Sequence, residues 1–262
     1  MNDLSYTAKV FKTVWVSDVH LGTKGSRAKE FLEFLKTIEC EKIFLVGDIV
    51  DGWQLSKRWY WPQTHNDVVQ KILEKAKRGT EIIFIPGNHD EVARDFIGLT
   101  MGGIKVKDDD IHYTADGKKF WVVHGDLFDN VIQHARWLAY IGDWAYVFLL
   151  KTNAVFNAIR RLFKLPYWSI SQYLTSKVNL AVSFMSAFEK SIATETRRRG
   201  CDGVICGHIH KAEMKMVEDI MYANDGDWVE SMTALVENFD GKLEIIEWSK
   251  TKGKLTPVEG VK

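Results

Sequence analysis

Cysteine is nearly missing from this chain. Its 262 residues include only three, Cys40, Cys201 and Cys206, with no CxxC pair. So sparse and odd a set excludes a disulfide framework and reads as reduced thiols in a cytosolic setting. Net charge is missing as well, since 35 Lys and Arg stand against 35 Asp and Glu. Such a balance gives no global attraction to polyanions, so no nucleic-acid partner is expected and any electrostatic partner must meet a local patch. No stretch approaches the ~20 uninterrupted apolar residues that a membrane span needs. The opening MNDLSYTAKVFKT lacks the apolar core of a signal peptide. The expectation is therefore a protein made and kept in the cytoplasm.

The composition that remains, 46% hydrophobic and 27% charged, suits a globular protein with a real core. Apolar runs at Lys12–His20, Ile43–Val46 and Glu81–Ile85 alternate with helical spacing over Ser26–Glu39 and Asn66–Arg78. Ser26 is a plausible N-cap for the first of these helices. Trp53, Trp59, Tyr60 and Trp61 fall in a loop between them. This β-α-β-α-β order implies parallel strands joined by right-handed crossovers. A hairpin follows around Ala115-Asp116-Gly117, then a helical, aromatic stretch, and strands resume from Asp202. The reading is an α/β protein built as a two-sheet sandwich with helices outside. Residues 1–129 and 201–250 form its core, 130–200 a helical insertion, and 251–262 a loose tail.

Chemistry gathers where the apolar runs stop. Asp18 and His20, Asp48, Asn88 with His89, His124, and His208 with His210 each directly follow such a run. Ligands of open α/β sheets bind at such carboxyl ends. Taken singly each is weak, because an Asp or His there is often only hydrogen-bonded. Together, carboxylate, amide oxygen and imidazole suit Mn²⁺, Fe²⁺ or Zn²⁺. The seven donors Asp18, His20, Asp48, Asn88, His124, His208 and His210 exceed one ion's needs and suit two. Two such ions, roughly 3.5–4 Å apart, clamp an in-line phosphoryl displacement. Asp48 is the natural bridge, because a carboxylate can reach two ions and an imidazole nitrogen cannot.

The blocks DVH, GDIVD, GNHD, HGD and GHIH, in that order, resemble the signature of the calcineurin-like metallophosphoesterases. The resemblance implies an αββα sandwich with a dinuclear centre, manganese being the first expectation. It assigns Asp18, His20, Asp48 and His210 to one metal, and Asp48, Asn88, His124 and His208 to the other. Asp51 would orient His89, and His89 would meet the phosphate oxygens or the leaving group. A non-catalytic interaction scaffold of the same fold should have lost donors, and this chain keeps every block.

Between HGD and GHIH lies the aromatic and basic segment 130–200. One reading is a helical cap with its own core and a solvated basic face. The sharper expectation is a lid that accepts acyl chains and meets an anionic membrane surface with a basic rim. His134, Trp137, Arg160 and Lys164 are its candidate substrate contacts. This block order with a helical insertion, and the stretch NDGDWVES at Asn224–Ser231, resemble the UDP-2,3-diacylglucosamine pyrophosphatases of lipid A synthesis. The best known of those carry Arg where this chain has His89. The implied partner is a lipid-linked nucleotide sugar, cleaved beside the inner membrane with peripheral attachment. The alternative keeps the chemistry and takes a cyclic nucleotide, nucleic acid or phosphoprotein instead.

Overall fold

The structure is a computed structural model that describes residues 9–128, 170–249 and 254–257. The chain divides into two compact units, Met1–Asp126 with Ala193–Lys262, and Leu127–Ile192. Within the first unit, strands β1 (Lys9–Val16), β2 (Ile38–Val46) and β3 (Glu81–Ile85) lie parallel at the centre of an eight-stranded sheet. Two short strands, β4 (Thr100–Met101) and β5 (Ile104–Val106), complete one edge. A second, five-stranded sheet holds β6 (Asp110–Tyr113), β7 (Lys119–Val122), β8 (Gly203–Cys206), β9 (Glu213–Val217) and β10 (Ile220–Asn224). There β7, β8 and β10 run parallel. Strands β11 (Thr233–Glu237), β12 (Leu243–Ser249) and β13 (Lys254–Pro257) extend the large sheet beyond β1 in antiparallel steps.

Apolar residues of both parities along β1–β3 show why these strands are central. Trp15, Phe44, Val46, Ile83 and Ile85 face inward and pack on Phe120, Val122, Ile205 and Ala223 of the second sheet. Val14, Val16, Ile43, Leu45 and Ile82 face the other way. Helices α1 (Ala28–Thr37) and α3 (Gln63–Lys77) cover them with Phe31, Phe34, Leu35, Val68 and Ile72. Strands buried on both faces read as continuous hydrophobic runs, as these do.

Several expectations needed correction. Helix α1 starts at Ala28 without a side-chain cap, not at Ser26. The backbone there is already committed, since Thr23 Oγ1 accepts the Ser26 N–H and Trp228 O accepts the Arg27 N–H. The helix ends early because Ile38 pairs with Lys9 and begins β2. The Trp-rich loop contains a short helix, α2 (Gly52–Lys57), capped by Asp51. Within the tail expected to be loose, Lys254–Pro257 forms β13 against β12, and the rest of it lies outside the described residues. The last helix, α4 (Ile170–Arg198), ends two residues before the expected boundary at 200, and its final residues, from Ala193 on, belong to the first unit. There Arg197 binds Asp219, and Arg199 just beyond binds Asp109. No helix among the described residues is long and apolar enough to cross a membrane.

A buried carboxylate–imidazole contact joins the two sheets away from the strand ends discussed below. Glu237 is fully buried, its Oε2 is 2.8 Å from His112 Nε2, and its Oε1 accepts the Ala115 N–H. Burial works to raise its pKa, but His112 and the Ala115 amide outweigh that and hold it below 4.5. A lowered carboxylate stabilises the fold above its unfolded value, and the benefit goes as pH falls through the folded value. We expect Glu237→Gln to lose ~1–3 kcal/mol at pH 7, the scale of a broken charge-assisted bond. Urea denaturation at pH 7 and pH 4 should show the gap between the two proteins narrowing in acid.

Candidate metal centre

Five loops meet at one end of the sandwich, each at the carboxyl end of a parallel strand. Asp18 and His20 follow β1, Asp48 follows β2, and Asn88 and His89 follow β3. His124 follows β7, and His208 and His210 follow β8, so both sheets contribute. Two donor sets form, Asp18 with His20 and His210, and Asp48 with His124 and His208. Asp18 Oδ1 lies 2.9 Å from His210 Nε2 and 3.7 Å from His20 Nε2. Asp48 Oδ2 faces both sets, 3.4 Å from His124 Nε2 and 3.9 Å from His20 Nε2. The loop that carries Asn88 is tied to Asp48, since the His89 N–H donates to Asp48 Oδ1 at 2.8 Å.

The local backbone is unusual at these positions. Among the described residues, seven that are not glycine have left-handed backbones. Five of them are Asp18, His20, Asp48, His208 and His210, with φ between 50° and 71°. Left-handed torsions disfavour side chains with a Cβ and cluster where function demands them. Here each turns a donor back over its strand end. Gly87 and Gly47 make the room: a Cβ on Gly87 would overlap Asp48 Oδ1 and the His124 ring, and one on Gly47 the same ring. Gly87→Ala should therefore weaken cation affinity about 10- to 100-fold, as displaced supports of metal ligands do. Metal retained after gel filtration, by elemental analysis, would measure it.

The surroundings orient the donors. His124 Nδ1–H donates to Val46 O at 2.7 Å, which turns Nε2 toward Asp48. His20 Nδ1 and His89 Nδ1 share Asp51 Oδ2, at 3.1 and 3.0 Å. Asp18 Oδ2 accepts the His208 N–H. Ser17 Oγ lies 2.7 Å from Asp18 Oδ2 and 2.6 Å from Asp225 Oδ1. A hydroxyl has one proton and cannot donate to both. Burial, aided by the nearby Asp18 charge, holds Asp225 well above the usual carboxylate range. A proton on Asp225 would be donated to Ser17 Oγ, freeing the hydroxyl proton for Asp18.

The donor set fits divalent metal. Asp18 Oδ1, Asp48 Oδ2, Asn88 Oδ1, His20 Nε2 and His124 Nε2 are buried and make no hydrogen bond within the protein. Such orphaned atoms cost ~1–3 kcal/mol each unless a partner meets them. Burial works to lower the pKa of His124, but Asp48 outweighs it and carries the imidazole up to about 10. At His20 burial is likewise outweighed, by Asp18 and Asp51, and the value again rises to about 10. Burial works to raise Asp48, yet His124 brings it down to about 2. The field between carboxylates and imidazoles calls for positive charge, and a cation supplies it as a proton does.

Six of the seven sequence-derived donors thus lie in these two sets, Asp51 and His89 group with His20, and Asn88 directly precedes His89 with its Oδ1 buried. His134, Trp137, Arg160 and Lys164 lie outside the described residues. Two supporting residues had gone unassigned. Asp90 accepts the N–H groups of Gly87, Ile49 and, at longer range, Asp48 and Val50, tying the β2 and β3 loops together. Asp225 supports Asp18 from the stretch after β10. Their only signal was the acidic residue ending GNHD and the first one of NDGD.

A family model described as calcineurin-like phosphoesterase matches residues 11–212. The chain is similar to a UDP-2,3-diacylglucosamine hydrolase of Blochmanniella pennsylvanica, at 26% identity over 129 residues. That match covers 47% of this chain and 51% of the relative, so the chain spans about half of that protein's length. It is also similar to the protein of that name from Edwardsiella ictaluri, at 23% identity over 204 residues and 76% of each chain. Among solved structures, Vacuolar Protein Sorting 29 from Cryptosporidium parvum aligns over 94% of each chain, with 13% identity and a TM-score of 0.48.

Proposed function

The chain belongs to the calcineurin-like phosphoesterases, metal-dependent hydrolases of phosphoric esters, and from that premise we propose a substrate and a division of labour. The substrate is a nucleotide-diphospho-lipid sugar such as UDP-2,3-diacylglucosamine, cleaved at the pyrophosphate to UMP and a lipid sugar monophosphate. The naming of the two curated relatives supports this choice, as does the aromatic and basic segment between HGD and GHIH. The observation that carries the chemistry is the pair of buried donor sets facing a common carboxylate.

Asp18, His20, Asp48 and His210 would hold one divalent ion, and Asp48, Asn88, His124 and His208 the other, with manganese the first choice. Such ions, when bound, polarise phosphoryl oxygens and lower the pKa of water. The protein's own part is to fix the donors and to supply a proton. Asp51 engages His89 Nδ1, leaving Nε2 for the departing oxygen. Residues 130–200, with His134, Trp137, Arg160 and Lys164, would receive the acyl chains and bring the protein to the anionic inner membrane surface from the cytoplasm.

Incubation of Mn²⁺-loaded protein with UDP-2,3-diacylglucosamine, UDP-sugars and cyclic nucleotides, followed by product analysis, tests this reading. UMP and a lipid monophosphate are the expected products. Turnover confined to cyclic nucleotides would replace the substrate and keep the centre.

A further inference from the structure

We propose that Trp53 is a positioning residue that fixes the plane of the His89 imidazole; the inference rests on His89 acting at the leaving group. The Nδ1 contact with Asp51 Oδ2, at 3.0 Å, anchors one atom of that ring and leaves its plane free to swing. The plane is set by two neighbours. The His20 ring stands edge-on, with centroids 4.7 Å apart and planes at 83°. The Trp53 indole packs on the same imidazole, 4.4 Å between centroids and tilted by 39°. Aromatic contacts at this range have directional preference, which a single polar contact at the ring edge lacks.

Trp53 is itself held from three directions. Its Nε1–H donates to Glu91 Oε1 at 3.2 Å, two residues beyond His89. The Gly52 N–H donates to His89 O at 2.9 Å, and a Cβ on Gly52 would stand only 3.0 Å from that oxygen. Glycine at 52 is what lets α2 approach His89 so closely. Asp51 completes the arrangement, one oxygen accepting the Gln54 N–H to cap α2 and the other holding the two imidazoles. The helix that carries Trp53 and the carboxylate that holds His89 are thus one unit.

Burial does not account for this placement. Trp53 is 43% exposed, so the indole is not there to fill the core, and its loss should leave the fold intact.

The test uses the full-length Mn²⁺-loaded protein and four variants, Trp53→Ala, Trp53→Phe, His89→Ala and the Trp53→Ala/His89→Ala double. The probes are methyl 4-nitrophenyl phosphate and methyl phenyl phosphate, which differ in how much their leaving groups need a proton. Trp53→Ala should lower kcat on the phenyl ester by about tenfold or more, within the range of a general acid's contribution. KM should stay within about twofold, and the nitrophenyl ester should suffer much less. Trp53→Phe should restore most of the loss. In the double variant the tryptophan change should cost nothing further, since residues acting as one unit are not additive. Metal content and circular dichroism should match wild type throughout.

Equal losses on both esters, or an undiminished effect of Trp53→Ala in the His89→Ala background, would overturn the inference. Wild-type cleavage of the phenyl ester by His89→Ala would instead remove the role of His89, and this inference with it. A slow His89→Ala beside an unimpaired Trp53→Ala would sink only the part played by Trp53.

Discussion

Asp48→Ala should lose metal and turnover together. Asp48 is fully buried, and its two oxygens do different work. Oδ1 accepts the His89 N–H and so holds the β3 loop, while Oδ2 faces His124 on one side and His20 on the other. Alanine removes a donor from both sets and releases the loop that carries Asn88 and His89. Its loss also removes the charge that draws positive partners to both imidazoles. The expected fall in turnover is more than about a thousandfold, on the order of the losses seen when an indispensable group is removed. Elemental analysis after gel filtration should show less metal per chain, while circular dichroism stays close to wild type. A variant that kept its full metal complement and came within tenfold of normal activity would refute a shared carboxylate.

His89→Ala should do the opposite on one axis, keeping metal while losing about 10²- to 10⁴-fold in turnover, the range of a positioned acid. A third grouping of possible ligands, His20, Asp51 and His89, makes this worth testing. In that grouping both imidazoles bring Nδ1 to one Asp51 oxygen, His20 through a hydrogen bond and His89 through a 3.0 Å contact. His20 Nε2 points instead toward Asp18 and Asp48. If the grouping held a cation, His89→Ala would cost part of the bound metal, and the role of His89 would have to be rewritten as that of a ligand. Unchanged metal with slowed turnover keeps it at the leaving group.

The centre was unusually legible in the sequence because each donor lies within four residues of the end of a buried strand. Apolar runs mark the strands, and what directly follows them must lie at the carboxyl edge of a parallel sheet. Asp18, Asp48 and His124 were readable on that ground alone. The supports were not. Asp90 holds amides some 40 positions earlier, and Asp225 reaches Ser17 across 208 positions, distances at which no local pattern survives. Helix α2 was hidden because its six residues, GWQLSK, bury none of their side chains and so leave no apolar period to read. The edge pair β4 and β5 was missed for a related reason, being only two and three residues long.

Each donor set draws on both sheets, with Asp18 and His20 facing His210, and Asp48 facing His124 and His208. A cation held there fastens two layers that, beyond these loops, adhere mainly through side-chain packing. One set needs residues 18 and 210 brought together, and the other residues 48 and 208. A complete site therefore exists only where both sheets are assembled, and metal affinity should report on the packing of one layer against the other.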